Sequence, residues 1–233
     1  MKKLFTILFT IVCLTACGQK PEPIVITLKN PSFEDTPSIG ITPSQWVNCG
    51  FPKETPPDIQ PNSTFAVKKA AFDGETYLGL VTRDNWTWER IGQALVAPLV
   101  KDQCYSLSFS AAKSNAYVSV SRITNDMVNY NTPVKLRIWA GFYACQEAQL
   151  LAETPFVGHE QWENYVLIFQ ANQPFTHLML EAYYASAKQA YCGNILLDHF
   201  SAITPIACAD SGAIKKIPAT KGKMPVIRNG VPE

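Results

Sequence analysis

The stretch "CYSLSFSAAKS", residues 104–114, sets Tyr105, Leu107, Phe109 and Ala111 on one side and Ser106, Ser108 and Ser110 on the other. A period of two sustained this long is the pattern of a half-buried β-strand. A helix would scatter the same residues around its surface. Working outward, "VKLRIWAGF" (134–142), "NYVLIFQA" (164–171) and "THLMLEAYY" (176–184) follow the same rule downstream, and "TYLGLVT" (76–82) and "IGQAL" (91–95) upstream. "IVITL" (24–28), "TFAVKK" (64–69) and "GNILLDHFSAI" (193–203) complete the strand-like runs, with Pro, Gly, Asn and Asp gathered between them. Helical periodicity is nearly absent. Such a chain reads as all-β, a single-domain jelly-roll β-sandwich over residues 24–210, long enough to bury a full core.

The alternation also sorts the faces. Leu136 and Ile138 take the core side of their strand and leave Arg137 and Trp139 opposite; Leu178, Leu180 and Ala182 leave Met179, Glu181 and Tyr183. We expect Arg137, Trp139, Glu181 and Tyr183, beside the serines of 104–114, to line an open groove with polar clamps and an aromatic platform. Pyranose rings lay their C–H faces on such aromatics, and charged side chains bind the hydroxyls in pairs. The bland reading of the same residues is a solvated face or packing beneath a loop.

The ends speak to location. Lys2 and Lys3 precede the apolar run Leu4 to Leu14, which closes on Leu14-Thr15-Ala16-Cys17. That is the layout of a lipoprotein signal (residues 1–16), too short to span a bilayer, with Cys17 as the lipid-bearing residue. Residues 17–23 then form a lipidated tether to the membrane, and the expected location is the cell envelope, at the outer membrane. Residues 211–233, with Lys215, Lys216, Lys221, Lys223 and Arg228 among Pro and Gly, read as a flexible basic tail. Setting aside Lys2, Lys3 and those tail cations leaves the body with an acidic balance of about −5. A nucleic-acid surface needs the opposite sign, so nucleic acid is excluded as a partner. Five cysteines belong to the domain: Cys49, Cys104, Cys145, Cys192 and Cys208. An exported context favours disulfides, and the odd number leaves one thiol over. Position along the strand-like runs favours Cys104 with Cys145 and Cys192 with Cys208, although sequence alone leaves the pairing open.

Three short motifs carry a resemblance. "NPSFED" (30–35), "FDGETYLGL" (72–80) and "ILLDHFSAI" (195–203) together resemble the galactose-binding-like jelly-roll superfamily, and more narrowly its carbohydrate-binding modules of the xylan- and glucan-binding kind. The resemblance covers residues 24–203. It implies a structural Ca²⁺ where the first and last strands meet, with Glu34 and Asp198 giving side-chain oxygens and the Asp73-Gly74 turn and the Asn30 region completing the shell. A hard cation takes six to eight oxygens, mostly carboxylate and carbonyl. The alternative is that the same acids cap turns through backbone N–H groups. "PPDI", "DGETYLGLVTRDNWTWERIGQAL", "NYNTPVKLRIW" and "LLAE" further resemble a group of exported lipoproteins of Bacteroidetes-type bacteria, which bears on location and not on activity.

Two loops stand out. "TRDNWTWERIGQ" (82–93) concentrates charge and tryptophan: Trp88 is placed to anchor the following strand, and Trp86 to stand at the groove rim. "AYVSVSRITNDMVNYNTP" (116–133) is a long polar insertion in which Arg122 and Tyr130 are placed to rim the groove. Catalytic signatures are missing: no Gly-x-Ser-x-Gly elbow, no His-Glu-x-x-His, and no recognisable carboxylate pair. The sequence thus points to non-catalytic recognition of a glycan. An envelope module for protein interaction is the alternative, and a polysaccharide lyase or hydrolase, which needs no compact motif, ranks after both.

Overall fold

The computed structural model describes residues 23–186, 188–208 and 214–217, with the short segments 227–228 and 231–232. In chain order the strands are β1 (Val47–Asn48), β2 (Asp58–Gln60), β3 (Tyr77–Thr82), β4 (Arg90–Ala94), β5 (Cys104–Ala112), β6 (Val118–Val120), β7 (Met127–Asn129), β8 (Thr132–Pro133), β9 (Lys135–Gly141), β10 (Gln149–Glu153), β11 (Glu163–Gln170), β12 (His177–Tyr183), β13 (Gly193–Asp198), β14 (Thr204–Ile206) and β15 (Ile214–Ile217). A five-stranded sheet runs β1-β4-β12-β9-β10. The larger one runs β15-β11-β5-β13-β3-β2, with β14 added to β5 and β8 to β13. From β3 to β13 the chain crosses between sheets at nearly every connection, and only the β6–β7 and β9–β10 hairpins stay in place among the described strands. That winding is the jelly-roll sandwich expected from the alternation.

The core is built from the residues the period of two selects. Tyr105, Leu107, Phe109 and Ala111 of β5 face Leu136, Ile138 and Ala140 of β9 and Leu178, Leu180 and Ala182 of β12, and all are buried. The strand-to-strand register keeps them there: β12 meets β9 with Leu180 opposite Ile138 and Glu181 opposite Arg137. A slip of one residue would turn every one of these side chains outward.

The two sheets differ on their outer faces. β3, β5 and β13 are buried at every position, whereas β9 alternates half-buried with buried. A second apolar cluster explains the larger sheet: Val67, Tyr77, Val81, Ala112, Tyr117, Tyr130 and Leu196 pack on its outer side, where Tyr117 and Tyr130 flank the β6–β7 ribbon. Hence the serines of β5 do not share a face with Arg137 and Trp139, as the sequence reading expected. Ser106, Ser108 and Ser110 belong to the opposite sheet and are buried, Ser110 donating to Asn164 Oδ1 at 2.8 Å. The open face belongs to the five-stranded sheet alone.

Other expectations need correcting. Residues 64–69 are not a strand: Ser63–Phe65 form a 3₁₀ turn, capped by the Asn62 side chain and ended by Ala66 in the left-handed region. Residues 24–28 contribute one bridge, Ile26 to Ile203, because a paired neighbour is present only there. Residues 214–217, read as tail, add β15 to the edge of β11. The disulfides join Cys49 to Cys145 and Cys104 to Cys208, and Cys192 keeps a free thiol. The expected Cys104–Cys145 pair fails because Cys104 opens β5 in one sheet and Cys145 lies in the β9–β10 connection of the other. Cys208 follows β14, which pairs with the start of β5 and delivers it to Cys104.

Candidate functional site

The outer face of the five-stranded sheet carries an aromatic network built around one carboxylate. Glu181 points outward from β12, as its register requires, yet is only 1% exposed because two indoles close over it. Trp88 Nε1 donates to its Oε1 at 2.6 Å and Trp139 Nε1 to its Oε2 at 2.8 Å. Burial pushes the Glu181 carboxyl up, and the two indole N–H bonds pull it back. Glu181 was expected to touch ligand itself. With both oxygens engaged it instead fixes the two rings. Trp139 is half-buried, and so is Tyr183, which meets Trp88 edge to face at 5.0 Å.

Cations interleave with these rings. The Arg137 guanidinium lies over the Tyr183 ring, 3.3 Å from its centroid, and its Nε donates to Glu153 Oε2 at 2.6 Å. Arg90 is ion-paired to Glu147 and sits over Phe51, which meets Trp88 edge-on at 4.8 Å. The Cys49–Cys145 bridge straps one part of the same face. It rests over Gly92, where a Cβ would stand 3.2 Å from Cys49 Sγ, and beside Met179, which is buried. The result is a platform of Phe51, Trp88, Trp139 and Tyr183 whose rings are each held by a neighbour.

Trp86 is 47% exposed, in the left-handed region (φ 64°), and edge-on to Tyr184 at 5.5 Å. Tyr184 also touches Trp88 and Tyr183, so Trp86 extends the aromatic patch past the end of β12. Arg122 and Tyr130 are elsewhere. Tyr130 is buried beside the β6–β7 ribbon, its hydroxyl donating to Val120 O at 2.6 Å, and Arg122 Nε donates to Glu54 Oε2 at 2.9 Å. Both line a separate cavity, together with Asp58, Arg83, Glu89 and Tyr117. The sequence reading assigned them to the platform's groove because a linear order cannot show which side of the sandwich an insertion folds over.

The acids expected to hold calcium, Glu34, Asp73 and Asp198, all lie at the 72–76 turn, but among the described residues no three His, Cys, Asp or Glu side chains are grouped so as to hold a metal ion. Asp198 Oδ2 accepts from the N–H groups of Phe72 and Asp73, at 2.8 and 3.0 Å. Glu34 accepts from those of Glu75 and Thr76, and a Cβ on Gly74 (φ 62°) would overlap its carboxylate. Asp73 Oδ2 accepts from Ser32 Oγ at 2.8 Å and lies 3.2 Å from His199 Nδ1. "NPSFED" folds into this turn: Glu34 N donates to Asn30 Oδ1, and Phe33, fully buried in the left-handed region (φ 56°), packs against Trp46 and Phe200. The described bonds are those of turn caps. One oxygen stands apart: Asp198 Oδ1 is buried without a hydrogen-bond partner among the described residues, and burial, helped by the Asp73 charge, lifts this carboxyl to about 7. A cation or a proton would satisfy it.

No protein-family model matches the chain, and no curated protein matches it. Among solved structures it is similar to the CBM22-1 xylan-binding domain of Xyn10C from Paenibacillus barcinonensis, at 16% identity over 76% of this chain and 93% of that one, with a TM-score of 0.42. It is also similar to a CBM4 structure, at 12% identity over 77% and 99% of the two chains and a TM-score of 0.39. The enzymatically active domain of tailspike protein 4 of bacteriophage CBA120 matches at 13% identity and a TM-score of 0.41 over 76% of this chain, which spans only 21% of the tailspike chain. At these identities and scores no ligand or activity carries over to this chain.

Proposed function

We propose that this chain is a membrane-anchored lipoprotein of the cell envelope whose β-sandwich binds a glycan chain, without catalysis, on the outer face of its five-stranded sheet. The observation that carries the reading is the platform itself. Trp88 and Trp139 are fixed through Glu181, and Tyr183 is fixed under Arg137, on the sheet face that the second apolar cluster leaves open. Rings already held in place cost little further ordering when a sugar stacks on them, which is where a preorganised site gains affinity. Arg137 and Arg90 stand at their edges, next to where sugar hydroxyls would fall. The anchor rests on the lipoprotein pattern around Cys17, outside the described residues.

Calcium at the Asp73–Gly74 turn is part of the proposal, supported by the orphaned Asp198 Oδ1 and by the convergence of Glu34 and Asp198 on one turn. The ion would tie the 30–35 and 72–76 turns to the end of β13 and take no part in binding. Thermal unfolding with calcium and with a chelator tests this separately: a rise in midpoint with calcium that Asp198→Asn abolishes is the expected result, and identical midpoints refute it.

A specific observation favours a second reading. Phe142, Tyr143 and Leu150 are 48%, 63% and 41% exposed along the β9–β10 hairpin, at the free edge of the same sheet. Exposed apolar residues beside an unpaired edge strand suit a protein partner. A glycan array probed with the folded chain separates the two. Specific hits lost in Trp139→Ala support glycan binding, and silence from a folded, calcium-loaded sample supports the protein partner.

A further inference from the structure

Ile24, Val25, Val96, Phe142 and Tyr143 are all exposed, and strand pairing gathers them at one end of the sandwich. Leu95 N donates to Thr176 O at 2.8 Å, and Thr176 Oγ1 donates to Phe142 O at 2.8 Å. Val96 and Phe142 therefore flank Thr176, where β4 and β9 end and β12 begins. The Phe142 ring lies 4.9 Å from that of Phe175, whose carbonyl accepts from Leu99 N at 2.9 Å, and this closes the core there. Ile26 exchanges both backbone bonds with Ile203, which sets Ile24 and Val25 beside β14. β14 runs to Cys104, the first residue of β5, which stands opposite Gln170 at the end of β11. The exposed pair Ile123 and Met127 is elsewhere: Arg122 N donates to Asp84 Oδ1 at 3.0 Å, in the loop that precedes β4 at the opposite end.

The same end receives the chain from its N-terminus. On the lipoprotein reading, on which this inference rests, Cys17 carries the acyl chains, and Ile24 follows it by seven residues. Fully extended, that length spans at most about 25 Å. A domain of this size is about 40 Å across. The tether is the shorter of the two, so the end that bears Ile24 is held nearest the lipid. A tether alone leaves the domain free to tilt, and the exposed apolar residues decide which surface comes to rest. Apolar surface gains by leaving water, and a ring with a polar tip, as Tyr143 has, suits the headgroup level. Charge does not oppose this contact. The β4–β5 connection adds one exposed cation, Lys101, and one exposed anion, Asp102.

We infer that this end of the sandwich is a bilayer-docking surface, on which Val96, Phe142 and Tyr143 enter the lipid interface beside Ile24 and Val25. Docking there fixes the attitude of the whole domain. β12 starts at the docked end and runs seven residues away from it, a rise of about 20 Å. Tyr183, and Trp86 beyond it, are thereby carried clear of the membrane with the open sheet face upright beside them. Leu150 stands opposite Trp139 and belongs to that sheet face, not to the docking surface. A protein partner on the β10 edge would compete for Phe142 and Tyr143, and the experiment separates the two.

The test is photo-crosslinking of the full chain, produced in a bacterial host that processes lipoprotein signals. The chain is reconstituted into phosphatidylethanolamine–phosphatidylglycerol vesicles that carry a lipid with a diazirine near its headgroup. Intact mass reports whether Cys17 is acylated, and adduct mapping reports which residues touch lipid. The expected result is an acylated chain with adducts at residues 95–97 and 142–144, and none at 123–127 or at Trp86. Val96→Glu/Tyr143→Glu, changed only at exposed positions, loses those adducts while its acyl anchor keeps it on the vesicles. An acylated chain with adducts confined to residues 17–25 overturns docking, leaves the anchor standing, and frees Phe142 and Tyr143 for a protein partner. Adducts spread evenly over the domain, or undiminished in the folded double variant, overturn it as well. A detergent-solubilised dimer that the double variant dissolves would assign the surface to a second copy. An unmodified Cys17 overturns the anchor, and the inference with it.

Discussion

The platform and the cavity share one loop and treat their polar groups differently. On the platform side of residues 83–89, Trp88 donates to a carboxylate that is fully satisfied, and the arginines lie over rings at the surface. On the cavity side, Arg83 and Glu89 are buried together, and an N–H is left over. On the platform the carboxylate is satisfied beneath half-buried rings, while Arg90 Nε beside it is buried without a hydrogen-bond partner among the described residues. Beside the cavity, opposite charges are buried against one another, and Arg83 Nη1 is left without a hydrogen-bond partner among the described residues. The two sides differ in degree: the platform buries the single carboxylate Glu181, and the other side buries Asp58, Arg83 and Glu89 together.

Removing an arginine from each side breaks this comparison most sharply. At pH 9, where Glu89 is ionised, Arg83→Met strands its charge in the interior and is expected to cost about 3–5 kcal/mol by urea unfolding, the usual penalty for half a buried pair. Arg137→Met, whose partner Glu153 is partly exposed, should cost under about 1 kcal/mol. Equal losses at the two positions would erase the distinction. Next in size is the strap across the platform: replacing both Cys49 and Cys145 by Ser should cost about 2–4 kcal/mol and weaken glycan retention. Glu181→Ala leaves two indole N–H groups without their acceptor. A loss of about 1–3 kcal/mol is expected, with quenched or shifted tryptophan fluorescence reporting the freed rings.

The effect on pH dependence has a fixed sign. Glu89 lies against Arg83, with Asp58 nearby, and burial lifts its carboxyl to about 8. The folded chain therefore keeps a proton that the unfolded chain releases near the ordinary carboxylate value. Stability should fall as pH rises from about 4.5 to about 8, and then level off. Asp58 and Glu181, also raised, act in the same direction. Glu89→Gln should flatten part of this slope in unfolding midpoints taken from pH 5 to 9. An unchanged slope would mean that Glu89 is ionised in the folded protein.

What could be read from sequence divides along the same line. The alternation of β5, β9 and β12 identified the core, placed Arg137, Trp139, Glu181 and Tyr183 on one outward face, and marked Trp88 as an anchor, because these facts depend on neighbours two residues apart. That the β5 serines face the other side could not be read, since alternation gives two faces per strand without saying which sheet a strand joins. The cavity was invisible for a related reason: Asp58 meets Tyr117 across 59 positions, and Arg122 meets Glu54 across 68. Its one local hint was the crowding of Arg83, Glu89 and two tryptophans within a single loop. Disulfide pairing failed alike, because Cys208 reaches Cys104 only through the β14 pairing that no periodicity announces.

The most direct test of the account is the migration of the folded chain through native gels containing soluble xylan or mixed-linkage β-glucan, run beside a Trp139→Ala/Tyr183→Ala variant whose unfolding midpoint matches the parent. The platform account predicts that the parent is retarded by at least one of these glycans and that the variant runs as it does in a glycan-free gel. Retardation that persists undiminished in the folded variant would contradict it.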